Sequence, residues 1–257
     1  MGGEAARRAR VVGGPPHRED RLAASEGVDH SIAPRPIPPR RGRWATRRTV
    51  VHAIVIVAGL VPACWAIYGA SSDLLLGTRH FGSNPIKEIE HFTGDWTLRF
   101  LVLTLLVTPA RRITGFNALA RYRRTFGLLA FTYVSLHLIT YTGLDIALSW
   151  SDLVADVIKR PYITIGMAGF LLFLPLAVTS TRGWIRRLGR RWTLLHRAVY
   201  AIVILGTIHF WMSVKKDVTD PLVFALVFAS LLGWRAWMAW RRRADDAMVV
   251  ARERSAA

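Results

Sequence analysis

Three histidines lie inside apolar stretches of this chain, where an imidazole ring is costly to bury unless it binds a partner. His137 lies in the run TFGLLAFTYVSLHLITYTGL, and the run LLHRAVYAIVILGTIHFW holds His196 and His209. Two imidazoles that reach the same depth on different membrane helices can hold one haem iron between them. The pattern therefore predicts an electron carrier in which His137 and His209 bind iron, provided that their helices bring them to one depth.

His196 lies 13 residues before His209, which separates the two by about 20 Å along a helix and by about 140° around it. These two side chains should therefore not share a face. Arg123 lies 14 residues before His137 and Arg124 follows it, so an arginine pair occupies the level where a second pair of ligands would stand. Arginine does not ligate iron but binds carboxylates and phosphates in a fork. We expect Arg123 and Arg124 to hold an anionic cofactor group, either a flavin phosphate or haem propionates, or to lie beside a quinone headgroup near His196.

The elements that carry these residues are predicted from the separation of apolar and basic stretches. The chain has 257 residues, is 52% hydrophobic and carries a formal net charge of +18. Six apolar runs, most of them near the ~20 residues that cross a bilayer, alternate with short basic loops. They cover roughly residues 50–70, 94–110, 125–145, 162–180, 193–212 and 221–240. The predicted fold class is all-α, a polytopic membrane bundle of six transmembrane helices.

The charge of the loops predicts which way the bundle faces. Loops 111–124 and 181–192 each carry five arginines and no acidic residue, whereas in loops 71–95, 146–161 and 213–220 the acids balance or outnumber the bases. Arginine and lysine concentrate on the cytoplasmic side of membrane proteins, so both termini are expected in the cytoplasm. The third and fifth spans then run outward, and their two histidines reach similar depths in the outer half of the membrane.

Three regions follow from this pattern. Residues 1–48 are rich in arginine and proline and poor in large apolar residues, which predicts a disordered basic cytoplasmic arm attracted to membrane lipids with anionic headgroups. Residues 49–243 form the predicted haem-binding transmembrane domain, and residues 244–257 a cytoplasmic tail. Nucleic acid is not an expected partner, because no folded binding module accompanies the basic residues. The lone cysteine, Cys64, excludes an internal disulfide and a cysteine-ligated iron–sulfur cluster.

Three long runs resemble one family of membrane proteins. They are PIKEIEHFTGDWTLRFLVLTLLVTPARR, YRRTFGLLAFTYVSLHLITY and RPYITIGMAGFLLFLPLAVTSTRGWIRRLGRRWTLLHRAVYAIVILGTIHFWMSVK. Across roughly residues 50–242 the chain resembles the MsrQ family, the haem-binding membrane subunits of the periplasmic methionine sulfoxide reductase system, in the ferric-reductase-like transmembrane group. In this resemblance the haem histidines of the family fall on His137, His196 and His209.

The resemblance implies b-type haem and FMN as cofactors, quinol as the electron source, and a periplasmic MsrP-like molybdopterin subunit as the electron acceptor. It also implies a multi-pass location in the bacterial inner membrane and a role in repairing oxidised methionine in proteins. The arginine pair is compatible with the implied flavin. No GxGxxG module follows the last apolar run, so electrons are not expected to come directly from a soluble nicotinamide cofactor.

Two other functions fit part of the pattern. A stand-alone ferric reductase or a di-haem cytochrome b would deliver electrons to metal or oxygen, and its haem stoichiometry and acceptors would identify it. A non-redox membrane scaffold or transporter would bind no haem, so the purified protein would be colourless. The near absence of acidic residues from the apolar runs argues against a proton-coupled transporter.

Overall fold

The computed structural model describes residues 43–214 and 217–256, and all regular structure within these ranges is helical. Nine α-helices occur there, together with a 3₁₀ turn at Asn117–Arg121 and a π-helical turn at Tyr141–Asp145. The α-helices are α1 Arg43–Leu76, α2 Pro85–Thr114, α3 Tyr122–Thr140, α4 Trp150–Lys159, α5 Pro161–Val178, α6 Arg182–Leu188, α7 Arg190–Leu195, α8 Ala198–Ser213 and α9 Thr219–Ala256. The all-helical fold class is confirmed.

Among the described residues, five helical segments are long and apolar enough to cross a membrane. They are Thr49–Leu76, Asn117–Asp145, Pro161–Val178, Arg190–Ser213 and Thr219–Ser255. Most of their side chains are not buried by protein, as expected where lipid is the surrounding solvent. The chain is therefore a multi-pass membrane protein.

The second predicted span, residues 94–110, falls within α2 but is not one of these five segments. Asp95 and Arg99 interrupt its apolar run and form an ion pair with each other at 3.3 Å. Helix α2 nevertheless packs closely along α3. The count of six spans and the cytoplasmic location of both termini remain predictions.

The helices cross the predicted limits of the three regions. Helix α1 begins at Arg43, inside the predicted arm, and residues 1–42 of that arm lie outside the described residues. Helix α9 continues without a break from the last apolar run to Ala256. The last span and the predicted tail are thus parts of one helix.

Two helix pairs form the centre of the bundle, because α2 packs along α3 and α5 packs along α8. Pro85 begins α2 and Pro161 begins α5, which is the first helical position where the missing N–H of proline costs nothing. Each pair ends in a returning helix that carries one of the predicted ligands, His137 in α3 and His209 in α8. The most enclosed hydrophobic side chains of the described core are Leu101, Leu105, Ala130, Tyr133, Ile202, Val203 and Phe228.

Candidate functional site

His137 and His209 face each other across the centre of the bundle. Their ring centroids are 6.1 Å apart, and the planes of the two rings cross at 85°. Two imidazoles that bind one metal from opposite sides, at about 2 Å per bond, have centroids about 6 Å apart. The structure therefore brings the predicted pair to the separation that a shared metal requires.

A main-chain carbonyl holds each of the two rings. The Nδ1–H of His137 donates to the Glu90 carbonyl at 2.9 Å, and the Nδ1–H of His209 donates to the Tyr162 carbonyl at 2.7 Å. A carbonyl can only accept, so these bonds keep the proton on Nδ1 and leave the Nε2 lone pair free. Metal-binding histidines usually donate their other ring N–H in this way, which fixes the tautomer and the orientation of the ring.

A glycine stands one helical turn after each of these carbonyls, Gly94 in α2 and Gly166 in α5. The carbonyl of residue i in an α-helix points towards residue i+4, so a side chain there would crowd a second hydrogen-bond donor. A β-carbon at position 166 would lie 2.7 Å from Nδ1 of His209, whereas one at position 94 would lie 3.5 Å from Nδ1 of His137. Of these two positions, only position 166, beside His209, has no room for a β-carbon.

The two halves of the site repeat the same sequence spacing. In each half the histidine lies 47 residues after the residue whose carbonyl it binds, and the glycine follows that residue by one helical turn. The helix pairs α2–α3 and α5–α8 are therefore equivalent units that meet at their histidines. This equivalence accounts for the close approach of the two rings.

The two histidines line a cavity of about 670 Å³, a size typical of cofactor and small-molecule sites. One wall is apolar and aromatic, and it includes Leu98, Leu101, Val134, Phe170, Phe173 and Ile202. Two neighbouring imidazoles with free Nε2 lone pairs, beside such a wall, fit an iron porphyrin, which takes histidine nitrogens as ligands and needs an apolar setting. The residues present therefore fit the haem that the sequence predicts.

Charged side chains line the end of the cavity at which α2 and α5 begin. Nζ of Lys87 lies 3.3 Å from Oε2 of Glu90 and 3.3 Å from Oδ2 of Asp145, so it joins α2 to the turn that follows α3. Burial raises the pKa of the Glu90 carboxyl, although the Lys87 ammonium opposes that shift. His91 and Arg160 line the same end. The cavity thus combines an apolar interior with a polar rim.

His196 lies apart from this cavity, between α7 and α8. Its ring stacks on Trp192 with centroids 4.0 Å apart, and its Nδ1–H donates to the Trp192 carbonyl at 3.1 Å. Within the described residues its enclosed Nε2 makes no well-aligned hydrogen bond, although the Leu176 carbonyl lies nearby. The structure therefore does not group His196 with the facing pair.

The two predicted arginines have different surroundings. Both side chains are exposed, but Arg123 donates to the Thr108 hydroxyl of α2, a contact that Arg124 does not make. The same hydroxyl accepts from Nη2 of Arg235 in α9 at 3.1 Å. The guanidinium that shares a partner with Arg123 is thus that of Arg235, and not that of its sequence neighbour.

The role of Arg235 could not be predicted from the sequence, because this residue lies just before the basic run at the end of the last span and resembles those basic residues. It donates to the Tyr200 hydroxyl at 2.8 Å and to the Leu105 carbonyl at 2.8 Å. Pro109 lies four residues after Leu105 and has no N–H, so that carbonyl lacks its usual helical partner. Arg235 supplies the missing hydrogen bond and ties α9 to α2 and α8.

The histidines can be recognised in the sequence by their residue type, but the groups that orient them cannot. Glu90 and Tyr162 contribute main-chain carbonyls, and Gly94 and Gly166 contribute the absence of a side chain. The signal that would have found all four is the equal spacing of carbonyl, glycine and histidine in the two halves.

Known proteins share the helices that build this site. Residues 93–207 match the family model described as ferric reductase like transmembrane component. The protein-methionine-sulfoxide reductase heme-binding subunit MsrQ of Xanthomonas oryzae pv. oryzae is 46% identical over 192 residues, which cover 74% of this chain and 85% of that protein. The subunit of the same name from Caulobacter vibrioides is 44% identical over 203 residues, which cover 77% of this chain and 93% of that protein. With this identity over most of both chains, the present chain belongs to the MsrQ family.

Proposed function

We propose that this chain is a membrane haem b electron-transfer subunit that passes electrons from the quinol pool to a periplasmic molybdopterin methionine sulfoxide reductase of the MsrP type. The observation that carries the proposal is the facing pair of His137 and His209, each with Nδ1 bound to a carbonyl and Nε2 free. The names of the relatives, heme-binding subunits of a protein-methionine-sulfoxide reductase, support both the cofactor and the kind of partner.

Haem b supplies, when bound, a one-electron carrier whose potential depends on its axial ligands and their hydrogen bonds. His137 and His209 would hold its iron through Nε2, while the carbonyls of Glu90 and Tyr162 keep both rings in the metal-binding tautomer. Because the carbonyls fix both rings, electron transfer requires little movement of the ligands. The apolar wall that includes Phe173 would keep water away from the bound haem.

The proposal includes six spans, with α2 as the second, and both termini in the cytoplasm of a bacterial inner membrane. The acid-free arginine loops at 111–124 and 181–192 support this orientation. The ion pair of Asp95 with Arg99 supports α2 as a span, since pairing lowers the cost of charge near a membrane. In this orientation the polar rim around Lys87 faces the periplasm, where a soluble partner would receive electrons.

Quinol oxidation and FMN belong, in this proposal, to the opposite end of the bundle. Arg123 offers a guanidinium that binds phosphate or carboxylate oxygens, and the enclosed Nε2 of His196 is available to a ligand. A flavin phosphate, a haem propionate or a quinone headgroup would use such donors. Arg124 is the weaker candidate of the arginine pair, because it does not make the contact with Thr108 that holds Arg123 against α2.

A stand-alone ferric reductase or a di-haem cytochrome b is the second candidate function. Two observations favour it, namely the match of residues 93–207 to a ferric-reductase-like component and the enclosed Nε2 of His196, which makes no well-aligned hydrogen bond within the described residues. Haem stoichiometry separates one haem from two, and comparison of ferric chelates with a periplasmic MsrP-type protein as acceptors separates the two functions.

A reduced-minus-oxidised absorbance spectrum of purified variants tests the haem site. His137→Ala and His209→Ala should each abolish the Soret and alpha bands of the shared haem. His91→Ala is the matched control, because His91 lines the same cavity outside the facing pair. His196→Ala should keep the bands of the shared haem. Full haem retention in both of the first two variants would refute the pairing, and a colourless wild-type protein would favour a scaffold.

A further inference from the structure

Helix α4 connects the two histidine-bearing halves of the bundle and is strongly amphipathic. Its sequence, WSDLVADVIK, has apolar side chains at the first, fourth, fifth, eighth and ninth positions. At 3.6 residues per turn these five side chains cover one continuous arc of about 140°. The remaining positions are polar or alanine. The helix therefore has one apolar and one polar side along its whole length.

Most of the apolar side is not covered by protein. Trp150 is 79% exposed, Val154 55% and Ile158 76%, although all three are large hydrophobic residues. The other two apolar side chains, Leu153 and Val157, are half-buried. The three exposed side chains thus form a row along the helix, with one side chain per turn. The two half-buried side chains lie next to this row, on the edge of the apolar side that contacts the bundle.

The polar side of α4 makes specific contacts with the bundle. Asp156 accepts a hydrogen bond from the Tyr141 hydroxyl at 2.7 Å and forms an ion pair with Nε of Arg160 at 3.1 Å. Asp152 and Lys159, at the other edge of this side, are exposed. A protein surrounded by water would place the apolar row inwards and the carboxylate outwards. The observed arrangement fits a helix whose outer apolar face meets lipid.

Helix α4 connects two membrane-spanning segments through short links, of four residues before it and one residue after it. The segment that ends at Asp145 precedes it, and Pro161, which begins the next span, follows after a single residue. Ala147 and Leu148 turn the chain sharply between span and helix, with left-handed φ angles of 48° and 61°. Such conformations cost about 1–2 kcal/mol per residue, so the corner must be held by its surroundings. The exposed side chain of Leu148 continues the apolar row towards the span.

We infer that α4 lies flat in the headgroup layer of the leaflet at the histidine end of the bundle, with Trp150, Val154 and Ile158 inserted among the acyl chains. This apolar surface therefore binds the lipid bilayer. A soluble protein partner fits less well, because the apolar row is continuous with the spans, whereas the rim of the cavity is charged. The inference does not depend on haem or on the identity of the partner.

The lipid-bound helix would also support the histidine site. Through Asp156 it holds Tyr141, at the end of the His137 helix, and Arg160, which lies two residues before the carbonyl that binds His209. Lipid contact thus fixes the connector that spaces the two halves of the site.

Site-directed fluorescence in lipid nanodiscs tests this placement. The exposed native thiol is first removed by Cys64→Ser, and Val154→Cys or Ile158→Cys is then introduced and labelled with an environment-sensitive fluorophore. Asp152→Cys, on the exposed polar side of the same helix, is the matched control. Nitroxides attached to phospholipid acyl chains quench lipid-exposed labels, and iodide quenches water-exposed ones.

Labels at 154 and 158 should show blue-shifted emission and several-fold stronger quenching by the lipid nitroxide than the label at 152, with the reverse order for iodide. Equal iodide quenching at 152 and 154 in the protein alone would overturn the inference. Protection of 154 from iodide only after a soluble partner is added would also overturn it and assign the face to protein docking. Thermal unfolding that matches the Cys64→Ser parent shows that each variant is folded.

Discussion

Gly166 lies so close to His209 that a β-carbon at position 166 would approach Nδ1 of the ring to 2.7 Å. Gly166→Ala should therefore push the ring away from the Tyr162 carbonyl and turn Nε2 away from the direction in which it would bind iron. Forcing a methyl group into packed protein costs about 1–3 kcal/mol, so haem affinity should fall by roughly tenfold or more. The ratio of Soret to protein absorbance in purified samples measures this loss.

Gly94→Ala is the matched control for that prediction. A β-carbon at position 94 would lie 3.5 Å from Nδ1 of His137, which is ordinary van der Waals contact. This variant should keep haem near the wild-type level although it alters the equivalent position of the other half. Equal haem loss in both variants would mean that the model of crowding against one ring is wrong.

Arg123→Ala should lower the binding of the proposed FMN by the purified protein, and Arg124→Ala should not. Arg123 reaches Thr108 in α2 and shares that hydroxyl with Arg235, a contact that Arg124 does not make. The direct measurement is FMN released by denaturation and quantified by fluorescence, with the haem of the facing histidines as an internal reference. If the amount of FMN is unchanged in both variants, the two arginines do not bind flavin and contribute only to the orientation of the protein in the membrane.

Arg235→Met should destabilise the bundle, because Leu105 then has a carbonyl that neither Pro109 nor arginine satisfies. Loss of a hydrogen bond from a charged donor costs about 1.5–3 kcal/mol in free energy of unfolding. The change is measured by denaturant titration in mixed micelles.

Pro109→Ala provides the control for this effect. Alanine at position 109 restores an N–H that can bind the Leu105 carbonyl within α2. The same Arg235→Met substitution should therefore cost less in a Pro109→Ala background, which a double-mutant cycle measures. An equal cost in both backgrounds would show that the arginine acts through Tyr200 or Thr108 instead.

Glu90→Gln should remove part of the pH dependence of stability. Burial raises the pKa of the Glu90 carboxyl in the folded protein. Its contribution to stability is therefore fully present below the pKa of the unfolded chain and is lost as pH rises through the folded pKa. Wild type should lose stability relative to the glutamine variant over that acidic range, as followed by thermal unfolding across a pH series. Glu88→Gln, at an exposed position on the same helix, should leave the wild-type profile unchanged.

The amino-acid sequence by itself determined the helical class, the membrane location and the identity of His137 and His209 as the residues of interest. These follow from local properties, since apolar runs of sufficient length must form hydrogen-bonded helices in lipid and a histidine is visible by its type. The position of Arg235 beside Arg123, in contrast, depends on which helices pack together, and no local pattern encodes that contact.

Only the tertiary structure decided how the histidines are held. The Glu90 and Tyr162 carbonyls and Gly166 act across helices that are distant in sequence, through main-chain atoms and empty space that residue types do not reveal. It also showed how His196, which the spacing already separates from His209, is held by stacking on Trp192 between α7 and α8. Depth along a membrane is readable from hydropathy, but the direction in which a side chain points is set by packing.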